Sequence, residues 1–425
     1  MALTTAKRIE ILFDEVLEQY EKQQQMAALT ETFTVDGPTL QNAQNQIWRQ
    51  VEQQSSVFGG WDASGNFGDI LELSYPARLD DPRNAAKELR ADDFRDKQFM
   101  QRWARTSAAR LTADQNSRIA AKVKDTGSLF YRATVDGTAG NTGYDAIKQA
   151  TTILSERQAA TDMGVTMFLN NRDSQLISSD VANRSDMNGM PEDIYRNGMI
   201  AYNTAGLNLY EGSYLPTITG GASPASTVAA TVSQAPRATV TLAGEEFPAD
   251  YRVSDDIALA DASGYNVGDW VQFDGVNAVG LQDKTDTGVA MTFKIVEKTG
   301  NNIKVYPRPI ALDDAALSDT QAAYANIATQ IASGTQVTRL NTDASKRGNI
   351  FWCNDSVEIL NGDAPLEYLS ELDGMKVMSE TLASGTKLYM AYQGEIDNFS
   401  LKCRLFTWYG ITNKDPSRNG MAVFD

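Results

Sequence analysis

The sequence predicts an α+β protein: a helical and mixed α/β body carrying a small inserted antiparallel β-barrel. Three observations predict it. The stretch from Pro82 to Gly127 has no internal Gly or Pro and repeats apolar residues near a helical period. From Leu215 to about Asn341 the chain becomes short strands and turns, with Gly/Ser/Pro-rich stretches near both ends. After residue 346 longer alternating strands return, so the β unit splits one larger domain.

Taken in order, residues 5–21 form an amphipathic helix with Ile9, Leu12, Phe13, Val16 and Tyr20 on one face. Glu10, Asp14 and Glu18 make a carboxylate stripe at i, i+4, i+8, with Glu15 and Glu21 beside it. Like charges at that spacing oppose a helix by a few tenths of a kcal/mol, about 0.2–0.5 each. The stripe is either a solvated face or a dock for a cationic partner. Residues 46–76 read as a long hairpin, QIWRQVEQ and DILELSYP flanking a glycine-rich tip with Phe58, Trp61 and Phe67. Such a tip either meets a partner subunit or folds back on its own domain.

The Pro82–Gly127 stretch places Asp81 at an N-cap, Pro82 at the first helical position and Gly127 at a left-handed C-terminal position. Met100, Trp103, Ala104, Ala108, Leu111, Ile119 and Val123 supply its apolar stripe, and Arg95, Arg102, Arg105 and Arg110 its polar side. One helix of that length spans roughly 65 Å at about 1.5 Å per residue. The polar run Thr112–Ser117 leaves open a break or bend, and with it two shorter helices. Beyond it, YDAIKQATTILSERQAA and NNRDSQLISSDVANRS read as helices, VTMFL as a buried strand, and MPEDIYRNGMIAYN as a short helix.

In the β unit the strand candidates are TVAATVS, RATVTLA, DWVQFDGV, AMTFKIVEK and NNIKVYPRP. The loop AGEEFPADYRVSDD gathers Glu245, Glu246, Asp250, Arg252, Asp255 and Asp256 around Phe247, Pro248 and Tyr251. It reads as solvated charge, a subunit contact, or a loose calcium site whose spacing matches no EF-hand. At the C-terminal end NIFWCN, TKLYMAYQ and SLKCRLFTWYGIT are strands and APLEYLSEL a short helix.

A chain of 425 residues exceeds one simple core, and two or three domains are expected. A net charge of −17 argues against a general nucleic-acid binder and suits a surface that nucleic acid slides past. With no histidine and two cysteines, Cys353 and Cys403, a disulfide framework, His-based triads and His-ligated zinc are excluded. No apolar run approaches the ~20 residues of a membrane span. The N-terminus lacks a signal-peptide core, so the chain is expected to be made and used inside a cell. No P-loop, nucleophile elbow, zincin or dinucleotide motif is present. Asp92 and Asp93 diverge by about 100° on a helix, and nothing fixes the distance from Glu72 to Asp92 for a glycosidase pair. No enzyme activity and no cofactor is expected.

Motifs in shared order carry a resemblance. They are MAL and DEVLE within 1–18, GWD at 60–62, LEL at 71–73, LRADDFRD at 89–96, PEDIYRNG at 191–198, VYPRPIALDDAALS at 305–318, AYAN at 323–326, NIFW at 349–352, QGEI at 393–396 and CRLFTWYG at 403–410. With these the chain resembles the major coat (capsid) proteins of short-tailed lambdoid, Salmonella-type bacteriophages. The resemblance implies the tailed-phage and herpesvirus capsid fold. Its N-terminal arm would be 1–33, and its peripheral domain 34–129 with an extended hairpin loop at 46–78 and a spine helix near 91–125. An axial domain would begin at 130–221, a β-barrel be inserted at 222–343, and 344–425 complete the axial and peripheral domains.

That resemblance implies a virion protein, assembled in the host cytoplasm into hexamers and pentamers of an icosahedral shell. Its partners would be copies of itself, a scaffolding protein and a portal protein. It would enclose double-stranded DNA without reading sequence, and touch no membrane. Asp14, Glu15 and Glu18 would dock basic helices of the scaffold. Trp61, Arg95, Arg102, Glu245, Glu246, Asp250, Arg252 and Asp255 would meet neighbouring subunits. A phage decoration or surface-adhesion β-module is the alternative function.

Overall fold

The structure is a computed structural model. It describes residues 5–35, 45–55, 59, 61, 70–90, 93, 97–159, 164–184, 199–342, 346–364, 374–395 and 400–425. The chain divides into two compact units, one of Met1–Ile47, Ala77–Ile119 and Glu358–Thr412, the other of Trp48–Pro76, Ala120–Val357 and Asn413–Asp425.

In the first unit the arm helix, Thr5–Gln23, buries Ile9, Leu12, Phe13, Val16 and Tyr20. These pack with Trp103, Ala104, Ala108 and Leu111 of the spine helix, Lys97–Thr126, and with Leu388, Met390, Cys403 and Leu405 of a sheet. That sheet is antiparallel, in the order Met375–Thr381, Lys387–Glu395, Ser400–Thr407, Arg83–Arg90. Arg83–Arg90 is therefore a strand, not the start of the helix expected from Asp81 and Pro82. It pairs residue for residue with Ser400–Thr407, from Arg83↔Thr407 to Arg90↔Ser400. Local preference for helix in NAAKELR is worth tenths of a kcal/mol per residue, and a full ladder plus burial of Leu89 overrides it.

The spine helix runs unbroken through Thr112–Ser117. Within that polar run Thr112, Gln115 and Asn116 are buried. Gln115 Oε1 accepts from the Tyr20 hydroxyl at 2.8 Å and from Gln24 Nε2 at 3.1 Å, and Asn116 Oδ1 accepts from the Met26 amide at 3.3 Å. Polar side chains here tie the end of the arm to the spine. At the other end Gly127 is not left-handed. It is glycine because a Cβ would lie 2.6 Å from the Val123 carbonyl oxygen and 2.7 Å from Asn419 Oδ1.

In the second unit a mixed six-stranded sheet runs Leu129–Ala133, Asn419–Phe424, Asn349–Cys353, Val165–Leu169, Leu207–Glu211, Met199–Thr204. The helix Gly143–Glu156, started by a Thr142–Asp145 capping box, lays Ala146, Ile147, Ala150 and Leu154 into the same core as Met167, Leu209 and Phe351. Met199–Thr204, expected as helix, is a strand. It turns back on Leu207–Glu211 through Ala205 and Gly206, both with positive φ, which a two-residue hairpin requires. The rest of that expected helix and most of APLEYLSEL lie outside the described residues.

The inserted β unit leaves the body through paired Thr217–Ile218 and Lys346–Arg347. Its sheet order is Ser226–Thr227, Gln336–Arg339, Trp270–Val279, Asp286–Thr299, Asn302–Tyr306, Ile257–Ala258. A Val228↔Leu259 bridge, with Ala229 N–H donating to the Ala258 carbonyl, joins the two outer strands and closes the barrel. Phe273 and Phe293 meet edge-on at 5.3 Å inside it. RATVTLA forms a strand outside this barrel, described below.

Candidate assembly interfaces

The arm helix presents opposite faces to core and solvent. Behind its buried stripe, Glu10, Asp14 and Glu18 are exposed and Glu15 is half-buried. Glu18 is bonded to Lys22 one turn on. That hydrogen bond and the nearby charge hold the Glu18 carboxyl below its ordinary range. The stripe thus keeps most of its negative charge facing outward.

The extended hairpin is anchored by pairing of Gln46–Gln50 with Ser74–Arg78. Of its tip, Gln54, Ser55, Gly59 and Trp61 are among the described residues, and Trp61 is fully exposed, at 108%. On the spine Arg102 is exposed and donates to the Gln98 carbonyl of its own helix at 3.2 Å, and Arg105 is exposed beside it. Arg95 and Asp92 lie outside the described residues.

The charged loop of the insertion separates into three parts. Thr239–Leu242 and Glu245–Pro248 form a two-stranded antiparallel hairpin, turned at Ala243 and Gly244 with φ of 53° and 88°. Glu245 and Glu246 sit on it exposed, with Leu242 and Phe247 58% and 47% exposed. The signal was present in the sequence as TVTL-AG-EEFP, two strand-like runs separated by two residues.

The second part is internal. Arg252 donates from Nε to Asp250 Oδ1 and from its terminal nitrogen to Asp250 Oδ2, both at 2.8 Å, and also to the Asn413 carbonyl. Its side chain is 8% exposed. Burial opposes its charge, but the Asp250 hydrogen bonds and charge outweigh it and hold the guanidinium above its ordinary pKa. The third part is Asp255, bound to Arg237 at 2.8 Å and to Arg308. Asp250, Arg252 and Asp255, expected at a subunit contact, therefore find their charge partners within their own chain. Spacing in the sequence shows neither the buried carbonyl of Asn413 nor Arg308. Among the described residues no cluster of carboxylates could hold a metal ion.

Comparison with known proteins gives one family model, described as P22 coat protein - gene protein 5, that matches residues 1–425. Among solved structures the chain is similar to the capsid of Cyanophage P-SCSP1u, at 9% identity over 93% of this chain and 86% of that one, TM-score 0.42. It is similar to the mature capsid of bacteriophage PhiM1 at 8% identity over 94% and 86%, TM-score 0.41. It is also similar to the CUS-3 coat protein I-domain at 25% identity, over 29% of this chain and all of that one, TM-score 0.24.

Proposed function

The chain belongs to the P22 coat protein family, and from that premise we propose that it builds an icosahedral shell of hexamers and pentamers around double-stranded DNA, on a scaffolding protein and around a portal. It is a phage major capsid protein, a structural component of the virion and not an enzyme. The match over residues 1–425 carries this reading. The exposed surfaces support its finer parts.

Shell contacts have to be individually weak and collectively strong, since heterologous rings close capsomers and isologous contacts join them. The Trp61 tip has the exposed aromatic area that a ring contact needs. Arg95, Arg102 and the exposed hairpin bearing Glu245 and Glu246 supply rim charges. Exposed pairs are worth about 0–1 kcal/mol, so they fix register more than strength. Asp14, Glu15 and Glu18 form the face offered to basic helices of a scaffold, and the portal occupies one vertex.

The test is Asp14→Lys. Asp14 is exposed and off the buried face, so the variant should keep the parent's circular dichroism and urea midpoint. It should lose at least about tenfold in affinity for a basic scaffold, about 1.4 kcal/mol, and form no closed shells with it by sedimentation. Normal shells from a folded Asp14→Lys chain would overturn the scaffold-docking assignment.

A further inference from the structure

Three segments far apart in sequence converge on Arg252. The returning strand of the extended hairpin reaches it first. Ser74 bridges Asp250, the Tyr251 amide donates to the Ser74 carbonyl at 3.1 Å, and the guanidinium lies over the buried Tyr75 ring at 5.2 Å. Tyr306, from the barrel, supplies a second ring at 5.7 Å and donates its hydroxyl to Asp250 Oδ2 at 3.4 Å. The segment just before the C-terminal strand supplies two carbonyls, Asn413 to Arg252 and Lys414 to the Tyr251 hydroxyl at 3.2 Å.

The hairpin itself is a two-stranded ribbon, and such ribbons have little stability alone. Something must fix the angle at which it leaves. We propose that Arg252 is a positioning residue that ties the returning hairpin strand and the 413–414 segment to the insertion, so that the insertion sets the direction of the hairpin.

Arginine suits this place for a physical reason. A planar fork holds a carboxylate with two bonds, spares a third nitrogen for a carbonyl, and stacks on rings. A lysine offers one compact charge and can do only one of these well. The clamp stands on the contacts above. Its consequence for assembly rests on the reading that the hairpin tip meets a neighbouring subunit.

The experiment measures the hairpin's direction directly. Spin labels are placed on the full chain through Gly59→Cys, where a Cβ meets nothing within 4 Å, and Val267→Cys, 60% exposed on the barrel. Both native cysteines are buried, so the introduced thiols label selectively. The distance distribution between labels is compared in the parent, Arg252→Lys and Arg252→Leu.

A narrow distribution is expected in the parent and a broad one in both variants. Amide exchange at Tyr251 should rise at least about tenfold while residues 270–279 keep their protection. A residue that merely stabilises would instead raise exchange everywhere. Should Arg252→Leu fold too poorly to label, Arg252→Lys, which keeps a cation beside Asp250, decides the matter. Unchanged width in Arg252→Lys, or uniform loss of protection, overturns the proposal.

With scaffold present, Arg252→Lys should give shells of mixed size. Uniform shells despite a broadened distance would overturn the consequence for assembly. A parent chain that never assembles would count against the shell reading and leave the distance result standing.

Discussion

Arg252 and Lys294 are both buried cations of the insertion, and both lie on aromatic rings. Arg252 has a carboxylate, a carbonyl and two tyrosine faces. Lys294 has only a ring: its Nζ is 2.9 Å from the centre of Trp270, and among the described residues it has no hydrogen-bond partner. The two groups respond in opposite directions. Arg252 is held above its ordinary pKa, whereas burial pushes Lys294 well below the usual lysine range, with Asp125 and Asp269 pulling back and Lys124 opposing. A ring face shelters a cation, but only a carboxylate keeps it charged once water is gone. Of the two, the fully partnered Arg252 stands where four segments meet, and the unpartnered Lys294 sits inside a single strand, Asp286–Thr299, beneath Trp270, whose indole N–H donates to the Gly127 carbonyl at 3.0 Å.

The most severe way to break this contrast is Asp250→Ala. It would leave the buried guanidinium with the Asn413 carbonyl and two rings but without its carboxylate. Removing one member of a buried pair destabilises by about 3–5 kcal/mol. Urea unfolding of the variant should show a loss of that size. A loss below about 1 kcal/mol would mean that the pair behaves like a surface pair.

Lys294→Met works in the other direction and has a pH signature. An unsatisfied buried polar group is worth about 1–3 kcal/mol, and a thioether of similar length removes it. The variant should therefore be more stable than the parent at pH 7. Because burial lowers the Lys294 pKa in the folded chain relative to the unfolded one, the unfolded state binds the extra proton between the two values. The parent's stability then rises with pH between the depressed folded value and the ordinary 10.5. The advantage of Lys294→Met should shrink across that window, leaving near its top only the cost of burying the unpartnered neutral amine. A pH-independent difference between the two chains would show that the amine is not neutral when folded.

The same contrast explains what the sequence disclosed. Periodic apolar patterning located the arm helix, because Ile9, Leu12, Phe13, Val16 and Tyr20 answer to one local period. Residues 97–126 were legible as helix for the same reason, and the strands VTMFL and NIFWC for their continuous apolar runs. Failure came where a distant partner decides. Arg83–Arg90 looks helical until Ser400–Thr407 is laid beside it. Gln115 and Asn116 look like a weak point until the end of the arm reaches them. Asp250 and Arg252 look like surface charge until Tyr75, Tyr306 and Asn413 enclose them. Charge in a sequence gives sign and spacing, while burial and partners are properties of the folded chain.

The mildest perturbation acts on an ion pair that faces solvent. Glu18 and Lys22 form a salt bridge one helical turn apart, with side chains 61% and 62% exposed. Water already screens both charges, so Lys22→Ala should leave the urea midpoint unchanged within error. Its effect should appear elsewhere. Lys22 supplies the hydrogen bond and charge that depress the Glu18 carboxyl, so in the variant that carboxyl should titrate higher, toward its ordinary range, by NMR. The freed carboxylate then faces outward in line with Asp14, and a basic scaffold helix should bind the variant more tightly, by less than about tenfold. Weaker binding would mean that Lys22 itself holds the partner. A shifted midpoint would mean that an exposed pair on this helix does structural work of the kind expected of the buried Asp250–Arg252 pair.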